Sequence, residues 1–293
     1  YKVLDTSKFL RKKIILKEES LGYNINYISN TESNFKFNKS QKKQSEIYFK
    51  KNKIKNNFIV LHNRDNLYEK KYKGILNDQN FHDHRNFNFN TYSQIIKKYK
   101  KKQFVRLGKI APATKINNNN FYDFTNKKYN ELLMCYFIYK CSFAVTGPTG
   151  FLDVIRLMRK PLLAINFIPL SQKQFFALPK NSIILPKKIY SKKKSRFLKI
   201  NEIIDLQDKQ IHRNYDYYKS KNLKLINNTK KEIMNAFDEM LTKINNISVN
   251  NEEKNLRNNL QNKVNKIPYM KLLNQKLNIN ISYSFLKKNY EIL

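Results

Sequence analysis

Four short stretches of this chain carry side chains whose type and spacing could do chemistry. His62-Asn63-Arg64-Asp65 sets two proton-transfer groups around a guanidinium that can fork onto a phosphate. Phe81 to Asn86, FHDHRN, brings two histidines, an aspartate, an arginine and an asparagine within six positions. Gln103 to Gly108, QFVRLG, places Arg106 in an otherwise apolar run that closes on Gly108. Thr146-Gly147-Pro148-Thr149-Gly150 is a tight turn ahead of an amphipathic segment. There, hydroxyls and free backbone N–H groups at a helix N-terminus can hold an anion such as a diphosphate. The plainer readings are a surface loop with a local Arg–Asp pair for the first stretch and an ordinary strand-to-helix turn for the last. The last turn fits neither of the familiar glycine-rich phosphate patterns. A zinc site in FHDHRN would need ligands that the two cysteines, Cys135 and Cys141, are badly spaced to supply, so no metal is expected.

The elements that must position these groups follow from pattern. Phe58 to Leu61, Phe104 to Leu107, Phe143 to Val145 and Leu162 to Ile165 are short apolar, β-rich runs, expected as buried strands. Thr91 to Tyr99, Tyr129 to Tyr139 and Phe151 to Met158 read as helices between them. FYDFT near Asp123 reads as a short strand or a turn, and SIIL at Ser182 to Leu185 as a shorter strand candidate. This alternation predicts an α/β fold, a Rossmann-like doubly wound parallel sheet with right-handed crossovers. In such a sheet the loops at the carboxyl ends of the strands hold the ligand, which puts the His62 and Thr146 turns on one edge. Arg106 reads either as a solvated edge residue or as a second phosphate contact. Lys187 to Lys194 reads as a basic loop. Asn228 to Ile244 is the clearest helix, with an apolar stripe of Ile233, Ala236, Phe237 and Met240. Residues 1–37 read as the remnant of an N-terminal domain or linker, 38–245 as the sheet domain, and 246–293 as a polar segment whose tail docks back.

With 41% hydrophobic residues, the chain can bury a core. Its 58 basic against 22 acidic residues leave a net charge of +36, which raises binding to nucleic acid or to an anionic membrane surface. The lysines are spread throughout and accompany no recognised nucleic-acid-binding pattern, so no specific nucleic acid is expected. Two cysteines in apolar company predict buried thiols and a cytoplasmic location. No apolar run is long enough to span a bilayer.

Seven segments in order, FIVLHNRDNLY, FHDHRNFNFNTY, QFVRLGK, ELLMCYFIYKCSFAVTGPTGFLDVIRLMRKPLLAIN, SRFLKINEI, NNTKKEIMNAFDEM and ISYSFLKKNYEIL, resemble a family of bacterial glycosyltransferases from surface-polysaccharide loci. That family carries an HxRDxxY turn, an HDxRN segment, an RxG strand end and a serine-glycine turn. Here the turn has Thr149 before Gly150, which keeps the hydroxyl. The HxR turn also resembles that of protein fucosyltransferases, where an arginine in that place holds the donor diphosphate.

The resemblance implies a GT-B-like enzyme that moves a sugar from a nucleotide-sugar to a glycan or lipid-linked acceptor. The chain would be its carboxy-terminal half, with little of the amino-terminal domain present, working without a metal or other cofactor. The donor-binding set implied is Arg64, Arg85, Asn86, Arg106, Gly108, Thr146, Gly147, Thr149 and Gly150. His62, Asp65, His82 and Asp83 remain open as the acid or base. Peripheral contact with the cytoplasmic face of the inner membrane fits the charge. The alternatives are another surface-polysaccharide transferase, such as a pyruvyltransferase, and a non-catalytic basic binder of nucleic acid or membrane.

Overall fold

The structure, a computed structural model, describes residues 28, 31–72, 82–127, 130–168, 170, 178–208, 215–248, 250–265 and 280–289. Helix α1 (Lys39–Lys51) opens on Asn38 and Gln41, which close a reciprocal capping box. Six strands then form one sheet: β1 (Ile59–Leu61), β2 (Phe104–Arg106), β3 (Phe121–Asp123), β4 (Phe143–Thr146), β5 (Leu162–Phe167) and β6 (Ile183–Pro186). Their order is β3-β2-β1-β4-β5-β6 and every pairing is parallel. The expected doubly wound sheet is therefore present, in the order of the dinucleotide-binding folds. Four of its strands lie where the apolar runs predicted them.

Between the strands lie α2 (Leu67–Tyr72), α3 (Ser93–Lys98), α4 (Glu131–Lys140) and α5 (Gly150–Leu157). The helix expected over Thr91 to Tyr99 is shorter, because Phe89–Tyr92 forms a 3₁₀ turn that buries Phe89 and Tyr92 first. Asn130 caps α4 through the backbone N–H of Leu133. Cys135 and Cys141 are free, and burial pushes the Cys141 thiol up to about 12.

A second, antiparallel sheet follows β6. It joins β7 (Lys188–Ser191), β8 (Arg196–Phe197) and, after α6 (Ile200–Asp208) and α7 (Tyr215–Ser220), β9 (Leu223–Ile226). Half of the basic loop expected over Lys187 to Lys194 is thus strand, Lys188–Ser191. Alternation of Ile189 inward with Lys188 and Tyr190 half-buried matches a period of two, which the run of lysines hides in the sequence.

Helix α8 (Lys230–Ile244) packs on the large sheet behind a Thr229–Glu232 capping box. Phe237 is 0% exposed, with ring centroids of Tyr99, Phe143 and Phe104 at 5.0, 5.4 and 6.0 Å. The described part of the C-terminal segment lies against β6 and α8. After α9 (Asn251–Asn265), Ile281 bridges Ile184 of β6, with Ser282 N–H donating to Ile184 O at 2.8 Å. Glu239 of α8 accepts from the backbone N–H groups of Tyr283 and Ser284, which open α10 (Tyr283–Lys288). The exposed side of β6 is thereby covered. Most of the expected 1–37 remnant lies outside the described residues. Phe37 packs on Tyr136 and Tyr139 of α4.

Phe237→Ala removes a ring from the contact between α8 and the sheet. It is expected to cost about 3–5 kcal/mol, read as a shift of the urea unfolding midpoint. A loss under about 1 kcal/mol would mean that the stripe contributes little.

Candidate functional site

At the middle of the sheet the chain parts. From β1 it crosses toward β2 and β3, and from β4 it crosses toward β5 and β6, so the loops leaving these two neighbours diverge at their carboxyl ends, the place where open α/β sheets form a ligand crevice. Tyr92 lies beneath it. Its hydroxyl donates to His62 O at 2.8 Å and reaches Val145 O at 3.3 Å, tying the two strand ends together.

His62 is the first residue beyond β1. Its Nδ1 lies 3.0 Å from the hydroxyl of Thr146, the last residue of β4, and its ring stacks on Phe151 at 4.4 Å and 11°. The Thr146 hydroxyl itself donates to Gly147 O at 3.2 Å, so it accepts from Nδ1–H. The neutral ring then leaves Nε2 unprotonated. Burial, with the charges of Arg106 and Arg64, pushes this histidine down to about 3.

The loop expected beside this turn is there. Arg64 NH1 donates to His82 O at 3.3 Å and to Asn86 Oδ1. Asp83 opens a short 3₁₀ turn, Asp83–Arg85, and its Oδ1 accepts from Asn66 at 2.5 Å and from Asn86 at 2.9 Å. Asp83 thus serves as a scaffold between the two loops, which sets it apart from the other acid–base candidates. Arg85 turns toward His82 Nδ1 at 3.0 Å and His84 Nε2 at 3.3 Å. Asp65 caps α2 through Leu67 N–H, and burial raises its carboxyl against that bond and two guanidiniums.

Phe87 closes the other side. A Cβ on Gly147 would come within 2.7 Å of its ring, so the glycine is set by close approach. Thr149 caps α5, its hydroxyl accepting from Phe151 N–H at 3.1 Å. Gly108 holds a φ of +155° and sits beside both Thr125 and His62.

Arg106 departs from both sequence readings. It lies on an interior strand and is 1% exposed. Its guanidinium donates to Asp123 Oδ2 and Pro112 O, each at 3.0 Å, and to Asn63 Oδ1 at 3.4 Å, and stacks over Phe89 at 4.0 Å. It is therefore a buried pillar rather than a phosphate contact; the donor-binding expectation for it is withdrawn. An isolated strand segment does not reveal which neighbours it will have, and those neighbours decide this point.

Sequence reasoning missed Asn63, Asn66, Phe87 and Lys187, which build the walls. The first two stand inside HNRDN and could have been drawn from their spacing. Lys187 was hidden among the five lysines of similar appearance in the eight residues from 187 to 194, where only Ile189, Tyr190 and Ser191 break the run.

No family model and no curated protein matches the sequence. Among solved structures the chain is similar to a glycosyl transferase family 9 protein from Veillonella parvula, at 9% identity and a TM-score of 0.45 over 71% of this chain and 53% of that one. It is similar to a UDP-GlcNAc 2-epimerase from Neisseria meningitidis bound to UDP-GlcNAc, at 18% identity and 0.31 over 69% and 48%. A heptosyltransferase, TibC, in complex with ADP-D-beta-D-heptose, is similar at 14% and 0.27 over 40% and 29%. The chain spans about half of these proteins or less. At these values the likenesses assign neither activity nor substrate.

Gly147→Ala should cost about 1–3 kcal/mol, because the buried Phe87 ring must move. Gly150→Ala meets nothing within 4 Å and should cost no more than about 0.5 kcal/mol in the same urea titration. The pH dependence has a definite sign. Unfolded His62 takes its proton near 6.5 and the folded ring only near 3, so stability is lost as pH falls between those values. His62→Gln should flatten the fall in unfolding midpoint between about pH 7 and about pH 4.5.

Proposed function

We propose that this chain binds a nucleotide-sugar and forms the donor half of a GT-B-like glycosyltransferase acting on a glycan or lipid-linked acceptor. One observation carries the reading. At the crevice between β1 and β4, the Arg64 turn stands on one side and the Thr149-capped N-terminus of α5 on the other. A diphosphate between them meets a guanidinium and the positive end of a helix, the two devices that stabilise a leaving diphosphate without a metal. The sequence resemblance supports the sugar as the transferred group.

His62 is the acid–base candidate best supported by position, since Nε2 is the ring atom not engaged by Thr146. In the unliganded site its basicity is low. Burial is the largest cause, and a bound diphosphate would offset only the Arg106 and Arg64 charges that add to it, raising the proton affinity of the ring toward what taking a proton from an acceptor hydroxyl needs. Arg85 and Asn86 act in this reading by shaping the loop that presents Arg64. Among the described residues no helix is long and apolar enough to cross a membrane. Membrane contact would therefore rest on the basic surface, which fits a lipid-linked acceptor.

Arg64→Ala should weaken nucleotide-sugar binding or transfer by about 2–4 kcal/mol, and Arg64→Lys should recover only part, because an ammonium does not fork. Calorimetric titration with a panel of nucleotide-sugars and with phosphoenolpyruvate checks this. Unchanged binding in Arg64→Ala would overturn the donor site. Binding of phosphoenolpyruvate alone would favour the pyruvyltransferase, and binding only to polyanions, lost with salt, the basic binder.

A further inference from the structure

Lys187 follows β6 directly and is 4% exposed. A lysine this deep is expensive to bury and needs a reason. Its Nζ donates to His84 O at 2.7 Å and to Asn86 O at 3.3 Å. These two carbonyls belong to the loop that carries FHDHRN, and among the described residues no backbone N–H donates to them, so the ammonium satisfies acceptors that burial would otherwise leave expensive. The same loop grips Arg64 through His82 O and Asn86 Oδ1. A continuous chain of contacts thus runs from the end of β6, through the loop backbone, to the guanidinium beside β1.

We infer that Lys187 is a positioning residue of the site: it fixes the His84–Asn86 backbone and, through Asn86, the direction of the Arg64 guanidinium. What the loop is held for rests on the donor-site reading above. The tether itself does not, and it can be measured separately.

The tether also has a pH signature. Burial pushes Lys187 down to about 7. The charges that act on His84, whose carbonyl it holds, are those of Arg85 and His82 of the loop, Lys187 itself and Arg64 of the β1 turn; Tyr218 of α7 lies against the His84 ring, and the neighbouring Lys188 is paired with Glu232 of α8 at 2.8 Å. Below about 7 the ammonium makes charge-assisted bonds to both carbonyls; above it a neutral amine makes weaker ones. An opening that takes the two carbonyls away while Lys187 stays buried favours the neutral amine still more, so in that motion the loop should loosen as pH rises through that value. Overall stability should move the other way. The unfolded lysine keeps its proton up to 10.5 and the folded one only to about 7, so the cost of the buried charge disappears as pH rises between them. Opposite trends in the loop and in the whole fold separate a tether from a general packing role.

The experiment is amide hydrogen exchange of the full chain, with rates corrected for intrinsic pH dependence, at about pH 6 and about pH 8.5, on wild type, Lys187→Met and Lys187→Arg, beside titration with UDP, GDP and ADP. At the lower pH, Lys187→Met should lose about tenfold protection in residues 82–87 while the sheet strands keep theirs, and Lys187→Arg should restore most of it. Wild type should lose protection at 82–87 on raising the pH, and Lys187→Arg should not. Diphosphate affinity should fall in step, by about tenfold in Lys187→Met. Unchanged protection at 82–87 in Lys187→Met, or a loss spread evenly over the sheet, would overturn the inference. Should Lys187→Met not fold, the wild-type comparison decides, and no pH effect confined to 82–87 overturns it. If the exchange results hold while wild type binds none of the diphosphates, the tether stands and the donor reading falls.

Discussion

The parting of β1 and β4 is the constraint on which the rest depends. Two adjacent parallel strands send their chains to opposite sides, so the space above their carboxyl ends cannot be filled by either connection. Something must hold the strand ends together beneath that gap. Here it is the Tyr92 hydroxyl, reaching one carbonyl on each side, with the His62–Thr146 contact above it. The remaining loops are arranged around this join. Phe87 presses on Gly147, Asp83 draws in Asn66 and Asn86, and Asn86 holds Arg64.

Charge is the second theme. With 58 basic residues and 22 acidic ones, carboxylates are scarce, and several of those described serve interior positions. Asp123 neutralises Arg106, Glu232 caps α8 and pairs with Lys188, and Glu239 caps α10 from a neighbouring helix. Arg106 and Lys187 show two ways to keep a cation inside. One takes a carboxylate, an asparagine, a carbonyl and an aromatic face. The other takes only carbonyls, and burial lowers its proton affinity. The uneven charge that suggests a polyanion partner thus coexists with a site whose cations are individually placed.

How much was legible can be judged from particular residues. The strands at Ile59, Phe104, Phe143 and Leu162 were readable because each is a short apolar run between turn residues, and α8 because its cap and stripe are both local. The shared edge of the His62 and Thr146 turns followed from parallel topology alone. Arg106 was misread because its burial comes from β3 and from Phe89, which approach from distant positions in the chain. Strand β7 was misread because its inward residue, Ile189, stands in a run of lysines, and the burial of Lys187 and the Lys188–Glu232 pair come from contacts far along the chain.

The sequence by itself determined the α/β class, the alternation of elements, and the collection of Arg64, His62 and the Thr149 turn at one sheet edge. Each of these depends on local periodicity or on the handedness of short connections, which few residues suffice to specify. Only the tertiary structure decided which groups within those loops face the crevice and which hold it up. That Asp83 is scaffold, that Arg106 is a pillar and that Lys187 reaches back 101 to 103 positions to the His84–Asn86 loop are matters of strand order and side-chain direction. Such contacts join residues whose separation along the chain carries no periodic signal, so they exist only once the sheet has brought them together.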